Sequence, residues 1–330
     1  MKRGKKRFAR FVILLVCMAL SFVYGYLTHR NKLFPYEQIR TSYLKYQINK
    51  TSQWSIGIYS GSSPFELENI IDANKPVITA RDVDDINAAF VADPFIVIQH
   101  GVYYMFFEIF NVDTEQGDIG YALSNDGIDW QYKNIVLDED FHLSYPAIYE
   151  IDGTYFMIPE SAEANAIRLY KSVNFPSEWS YAGDLLSGAP YTDPTLFYHE
   201  DLWWMFTSVA GNNGILNLHY TDSVFHGWQS HPNNPILKDN YDYARPAGKV
   251  FEINERMYRL AQDDAPYYGT QVYAIEITDL TTISYSENLD SARIIVTNSK
   301  NGWNKAGMHH AHLIRSGESW LASVDGIRRR

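Results

Sequence analysis

A five-bladed β-propeller is the fold class this sequence predicts. Three observations predict it: a unit said five times along the chain, a heavy aromatic load, and a last unit that stops half-way. The unit opens on a polar residue, usually followed by proline. It runs through a β-rich stretch to a turn and returns as an aromatic strand ending in a polar side chain. Residues 93–108 are the clearest copy, 145–160 and 193–208 the next two, 245–263 a looser fourth, and 309–325 a fifth without the proline. Repetition with a period of about 50 residues signals an array of one supersecondary unit. The 25 Tyr, 17 Phe and 8 Trp suit pleated, half-buried surfaces.

Each copy continues alike. After Glu108 come residues 117–124, the turn Asn125-Asp126-Gly127 and Trp130; after Glu160 come 166–172, Phe175-Pro176 and Trp179. After Ser208 come 215–220, His226-Gly227 and Trp228, and the fourth copy gives 271–277, Leu280 and Tyr285. Tight turns between short alternating runs make each unit a four-stranded antiparallel sheet, and radial repetition of such sheets is a propeller. The fifth unit lacks its outer strands after Asp325, whereas 54–60 and Glu66-Leu67 read like outer strands with no inner ones. The N-terminal strands are therefore expected to complete the last blade and close the ring, which removes exposed sheet ends. A two-sheet sandwich would not split a unit this way.

The first fifty residues stand apart. Residues 1–10 are basic, and 11–27 form an uncharged stretch about as short as a bilayer-spanning helix can be. Positive charge stays cytoplasmic, so 11–27 is expected to be a transmembrane signal-anchor with the body extracytoplasmic. No small-x-small cleavage site follows it. Residues 28–50 read as a stalk and 51–330 as the propeller domain. The only cysteine is Cys17, so the body has neither a disulfide nor a thiolate metal site. The net charge of −11 argues against nucleic acid, which needs clustered Lys and Arg, and leaves neutral sugars open.

In a propeller the start of each first strand and the end of each second strand meet at one mouth of the ring. Asp93, Tyr145, Asp193, Arg245 and His309 or His310 come from the first set. Glu108, Glu160, Ser208, Gln262 with Asp263, and Asp325 come from the second. A pocket holding several carboxylates suits a sugar, and glycoside bond cleavage uses a carboxyl pair, one as acid and one as base or nucleophile. Asp before Pro also starts bends, but different polar types at one axial place favour a site over a repeated structural residue. Crowding would raise one carboxyl's pKa. Arg245 would neutralise the cluster or hold a substrate anion. Of the three histidines, strand alternation lets only His310 and His312 share a face. With no further ligand constellation they read as sugar or core hydrogen-bonding partners, not metal ligands, and no cofactor is expected. Trp203 and Trp204 read as one surface and one core residue, and Trp130, Trp179 and Trp228 as core packing.

Several ordered motifs carry a resemblance. They include Ala92-Asp93-Pro94-Phe95, Met105-Phe106-Phe107-Glu108, His142-Leu143-Ser144-Tyr145-Pro146, Met157-Ile158-Pro159-Glu160-Ser161, His231-Pro232-Asn233-Asn234-Pro235, Ala244-Arg245-Pro246-Ala247-Gly248 and Ala261-Gln262-Asp263. Over roughly residues 54–326 the chain resembles the N-terminal domain of glucosamine inositolphosphorylceramide transferase, a five-bladed propeller similar to glycoside hydrolase family 43. The resemblance implies the fold and a glycan setting more firmly than the transfer reaction. Family 43 hydrolases invert, with a base Asp in the first blade, a pKa-tuning Asp later and an acid Glu further on. Asp93 matches the base and Asp193 the tuner. Where the fourth blade should bring the acid, this chain has Arg245, so Glu160, or else Glu108, would have to substitute.

The expectation is a membrane-anchored carbohydrate-active protein. Asp93, Asp193 and Glu160 would be catalytic; Glu108, Tyr145, Arg245, Gln262, Asp263, His310 and His312 would bind a glycan or glycolipid. The alternative is a non-catalytic glycan-binding propeller serving a partner glycosyltransferase, and the blandest reading is a structural scaffold.

Overall fold

The computed structural model describes Met18, residues 21–27, 53–70 and 75–328. It divides into two units, Met1–Lys50 and Thr51–Arg330. In the first, residues 21–27 are helical and exposed. Among the described residues no helix is long and apolar enough to cross a membrane. Most of the expected span 11–27, with the basic segment 1–10 and the stalk 28–50, lies outside the described residues.

The second unit is built of five four-stranded antiparallel sheets. The chain enters through β1 (Gln53–Gly61) and β2 (Glu68–Asn69). Blade I is β3 (Ala88–Gln99), β4 (Val102–Asn111), β5 (Gln116–Ser124) and β6 (Gln131–Leu137). Blade II is β7 (Ser144–Ile151), β8 (Thr154–Glu160), β9 (Ala166–Asn174) and β10 (Glu178–Ser187). Blade III is β11 (Tyr191–His199), β12 (Leu202–Val209), β13 (Asn212–Thr221) and β14 (Gln229–Ser230). Blade IV is β15 (Phe251–Ile253), β16 (Arg256–Asp263), β17 (Gln271–Leu280) and β18 (Tyr285–Thr297). β19 (Ala311–Ser316) and β20 (Ser319–Arg328) then join β1 and β2 in the order β19-β20-β1-β2 as blade V. The β1–β20 ladder runs unbroken from Gln53↔Arg328 to Gly61↔Trp320. The ring closes where the split unit predicts.

The core lies between blades. Successive residues of a strand face opposite sides, so β4 sends Met105, Phe107 and Ile109 toward blade V and Phe106 toward blade II. The other interfaces are built likewise, blades II–III around Phe156 and Met205, III–IV around Trp204 and Leu218, and IV–V around Leu260 and Ala322. Trp204 is buried and Trp203 half-buried. Trp130, Trp179 and Trp228 are half-buried rather than wholly core. Each indole N–H donates to a carbonyl a few residues back, that of Gly127 (3.1 Å), Pro176 (2.8 Å) or Val224 (3.0 Å), and so staples its turn.

One irregularity recurs and positions the site. The ladder slips between Ala92 and Phe95, between Ser144 and Ala147, and between Thr192 and Thr195. Each slip leaves a polar residue and its proline unpaired, and proline has no N–H to lose. Asp93, Tyr145 and Asp193 then take left-handed φ values of 52°, 48° and 47°. A bulge bends its strand and re-aims a side chain, here toward the axis. Below the bulges the axis is filled by Phe95, whose ring meets Tyr145 at 4.9 Å, His310 at 4.7 Å and His312 at 5.1 Å.

Candidate active site

Above that plug a cavity of about 230 Å³ opens, lined by Trp54, Asp93, Glu108, His142, Glu160, Arg245, Tyr268 and His309, with Phe90 and Phe110 beside them. No single blade supplies it.

Two charge clusters share this mouth. In the first, His309 stands between two carboxylates, its Nε2 3.2 Å from Asp93 Oδ1 and its Nδ1 2.9 Å from Asp325 Oδ1. The backbone completes the clamp: Asp93 N–H donates to Asp325 Oδ2 (3.0 Å), and the N–H groups of His309 and His310 donate to Asp325 Oδ1 (3.2 and 3.1 Å). Burial pulls the His309 pKa down, but Asp325 and Asp93 outweigh it and hold the imidazole charged well above its ordinary range. Burial would likewise raise Asp93, yet His309, His310 and Arg245 bring it down to about 2.

In the second cluster Arg245 donates from Nε to Asp193 Oδ2, places an Nη 3.6 Å from Glu160 Oε2, and donates to Asn213 Oδ1 at 3.3 Å. Glu160 Oε2 also accepts Asp193 N–H (3.2 Å), and Gln262 Nε2 donates to Asp193 Oδ2 (3.2 Å). Burial and the Asp193 charge push the Glu160 pKa well above the carboxylate range, with Arg245 opposing. Glu108 is raised well above it too, by burial and then by Asp93, with His309 opposing. Its near neighbour is His142, Nε2 3.5 Å from Oε1, whose pKa burial lowers. One mouth thus holds an Asp93 whose pKa is depressed and two glutamates whose pKa values are raised. Pushing carboxyl pKa values apart is how acid and base roles are divided.

Among the described residues Asp93, His309 and Asp325 are the trio whose ligand atoms come within 4.8 Å of one another. Both nitrogens of His309 already face a carboxylate, so the imidazolium itself supplies the cation there.

The family profile described as glucosamine inositolphosphorylceramide transferase 1, N-terminal, matches residues 47–327. This chain belongs to that family. Glucosamine inositolphosphorylceramide transferase 1 of Arabidopsis thaliana is 33% identical over 320 residues, covering 88% of this chain and 41% of the relative. That of Oryza sativa subsp. indica is 34% identical over 303 residues, covering 83% and 40%. The chain thus spans about two-fifths of the length of these relatives. The catalytic domain of the Coprinopsis cinerea family 62 α-L-arabinofuranosidase superposes with a TM-score of 0.59 at 13% identity, covering 84% of this chain and 97% of that one. The exo-β-1,3-galactanase of Clostridium thermocellum gives 0.58 at 13%, covering 71% and 55%. These two likenesses establish the fold.

Within this glucosamine inositolphosphorylceramide transferase N-terminal fold, Asp93, Glu108, Glu160 and Arg245 line the cavity, and Asp193 lies buried behind Arg245. Gln262 is buried against Asp193. Tyr145 is floor rather than wall, 1% exposed with its hydroxyl 2.7 Å from Thr195 Oγ1. Asp263, next to Gln262 on β16, is turned away by alternation and accepts from Gln271 Nε2 (2.9 Å). His310 and His312 sit in the plug, His310 Nε2 3.1 Å from Pro94 O and His312 Nδ1 accepting Ile96 N–H at 3.0 Å. The mouth histidine is His309. Alternation does not govern it, because β19 begins only at Ala311.

Sequence reasoning passed over Trp54, His142 and Tyr268. Tyr268 caps the Arg245 guanidinium at 5.5 Å and meets His309 at 5.2 Å. Its loop packs closely because Gly269 follows: a Cβ there would lie 2.7 Å from the Trp54 ring. That Tyr-Gly pair was the available signal. His142 sits in a connection, where strand periodicity is silent.

Proposed function

We propose that this propeller binds a sugar of a glycan or glycolipid in the mouth cavity and acts on its glycosidic bond, by hydrolysis or by transfer. The observation that carries the reading is one cavity lined by Asp93, Glu108 and Glu160, in which His309 and Arg245 pull the Asp93 pKa down while burial pushes both glutamates up. Asp93 would be the base-side carboxylate and Asp193, through Arg245, the tuner; a glutamate would be the acid. The name of the full-length relatives makes a glucosamine-bearing inositol phospholipid the first substrate class to test.

The test is a glycan and glycolipid binding screen of the full chain in detergent, followed by product analysis on every hit. Asp93→Ala is expected to keep sugar binding and lose at least about 100-fold in turnover, the scale of a lost general base. Unchanged turnover would remove the reading.

One observation favours a second reading. Arg245 stands where family 43 hydrolases bring their acid and ties up Asp193 and Glu160. A non-catalytic propeller presenting a glycan to a partner glycosyltransferase would bind in the same screen with no product. The apolar stretch 11–27 after a basic N-terminus supports an anchored protein with its propeller outside the cytoplasm. Protease protection in sealed vesicles tests that placement.

A further inference from the structure

We propose that Glu108, oriented by His142, is the proton donor of this cavity, and that Glu160 is not. This assignment rests on the bond-cleaving reading above and chooses between the two glutamates that reading leaves open.

The choice follows from what each carboxyl touches. Glu160 Oε2 is engaged by Asp193 N–H and by Arg245, which also binds Asp193. A proton released there remains inside a carboxyl pair sharing one guanidinium, and the guanidinium favours the ionised form. Among the described residues no guanidinium pairs with Glu108, and the cation that acts on it is the His309 imidazolium. Glu108 lies on β4 opposite Ala92, directly before the bulge that aims Asp93 into the cavity. The groups facing it are Asp93, His309, Glu160 and Asp325, with His142 beside it. Burial, and after it the Asp93 charge, outweigh the one imidazolium of His309, so the neutral acid is favoured.

His142 is built to orient rather than to titrate. Its Nδ1 accepts Gly117 N–H at 2.9 Å, and the backbone N–H of His142 donates to Glu163 Oε2 at 3.0 Å. With Nδ1 accepting, the neutral ring carries its proton on Nε2, which faces Glu108 Oε1. Position 117 has to be glycine for this seat: a Cβ there would meet Leu143 O at 2.2 Å and Glu108 Oε1 at 2.9 Å.

The step balances. The Glu108 proton passes to the glycosidic oxygen as its bond to the anomeric carbon breaks, and the leaving group departs as an alcohol. Water, or an acceptor hydroxyl, bonds to the anomeric carbon and gives its proton to Asp93. Glu108 is left as a carboxylate facing the Nε2–H of His142, which stabilises it.

Two measurements on the full chain test this. The first is ¹³C NMR of carboxyl-labelled glutamate, assigned with Glu108→Gln and Glu160→Gln. The Glu108 signal is expected to be protonated at neutral pH and to titrate higher in His142→Phe, which loses the Nε2–H that stabilises the carboxylate. An ionised Glu108 at neutral pH overturns the assignment with or without a known substrate. The second is turnover of alkyl glycosides and glycosyl fluorides of glucosamine, galactose, arabinose and xylose. Fluoride leaves without protonation, so Glu108→Gln should lose about 10²–10⁴-fold on alkyl glycosides and far less on fluorides. His142→Gln should lower kcat more than it alters KM. If Glu160→Gln carries the leaving-group dependence instead, the donor assignment alone falls. If the wild type cleaves no glycoside, the cleavage reading falls and the donor role goes with it.

Discussion

His309 shows how one residue can set the charge state of a mouth. Its imidazolium separates Asp93 from Asp325, and all three are buried. Two unseparated carboxylates in that space would repel, so removing the ring should cost about 3–5 kcal/mol, the price of breaking a buried ion pair from one side. The pH dependence has a definite sign. Asp93, depressed to about 2, adds stability that is present above the ordinary carboxylate range and lost as pH falls through about 2. His309, raised, adds stability that is complete below the ordinary imidazole range and lost as pH rises through its folded value. His309→Gln is therefore expected to lower Tm at neutral pH and to flatten the alkaline fall in Tm expected for the wild type. Equal Tm for both chains at neutral pH would remove the clamp. This residue was half legible: the sequence put a histidine pair at the mouth, and a two-residue period applied past the strand's end chose the wrong neighbour.

At the scale of the element, the bulge matters more than the strand. Asp93, Tyr145 and Asp193 were legible as axial residues because polar-Pro recurs, and the left-handed backbone explains why each points inward. The same device gives a carboxylate, a floor ring and a second carboxylate, a difference of side chain that repetition conceals. Blade IV departs most: Pro246 bridges only Ala261, and β15 is three residues long. Its β16 also carries a buried arginine that no pattern announced. Arg259 donates Nε and an Nη to the two Glu287 oxygens at 2.5 and 2.7 Å and another Nη to Tyr243 O at 2.7 Å. Tyr285 OH donates to Glu287 at 2.6 Å. Glu287→Leu leaves a buried guanidinium without its carboxylate and should cost about 3–5 kcal/mol. The double change Arg259→Met with Glu287→Leu should recover most of that loss in urea unfolding. A double variant as unstable as the single one would mean that this pair is not what holds β16 to β18.

For the whole molecule the decisive feature is closure, and it was legible because a repeat was divided between the chain's two ends. The cavity lining was less so. Trp54, Tyr268 and His142 come from a closing strand and two connections, so only the assembled ring brings them to Asp93 and Glu108. Fold and site are consequently coupled through β1. Ile56 is wholly buried, exchanges backbone hydrogen bonds with Val77 and Ile78, and packs with Ile96, Phe107 and Leu321 across blades V and I. Two residues away, Trp54 meets the His309 ring at 4.2 Å. Ile56→Ala should cost about 2–5 kcal/mol, keep a single unfolding transition, and weaken any sugar binding because Trp54 loosens with its strand. Ile283→Ala, at a side chain 78% exposed on blade IV, should stay within about 0.5 kcal/mol of wild type. A ring without ends has no blade that can melt first, so β1 and β20 amides should exchange only with global unfolding. Release of those amides at lower denaturant than the rest would show a seam that opens by itself, and the mouth would then be a gate rather than a fixed pocket.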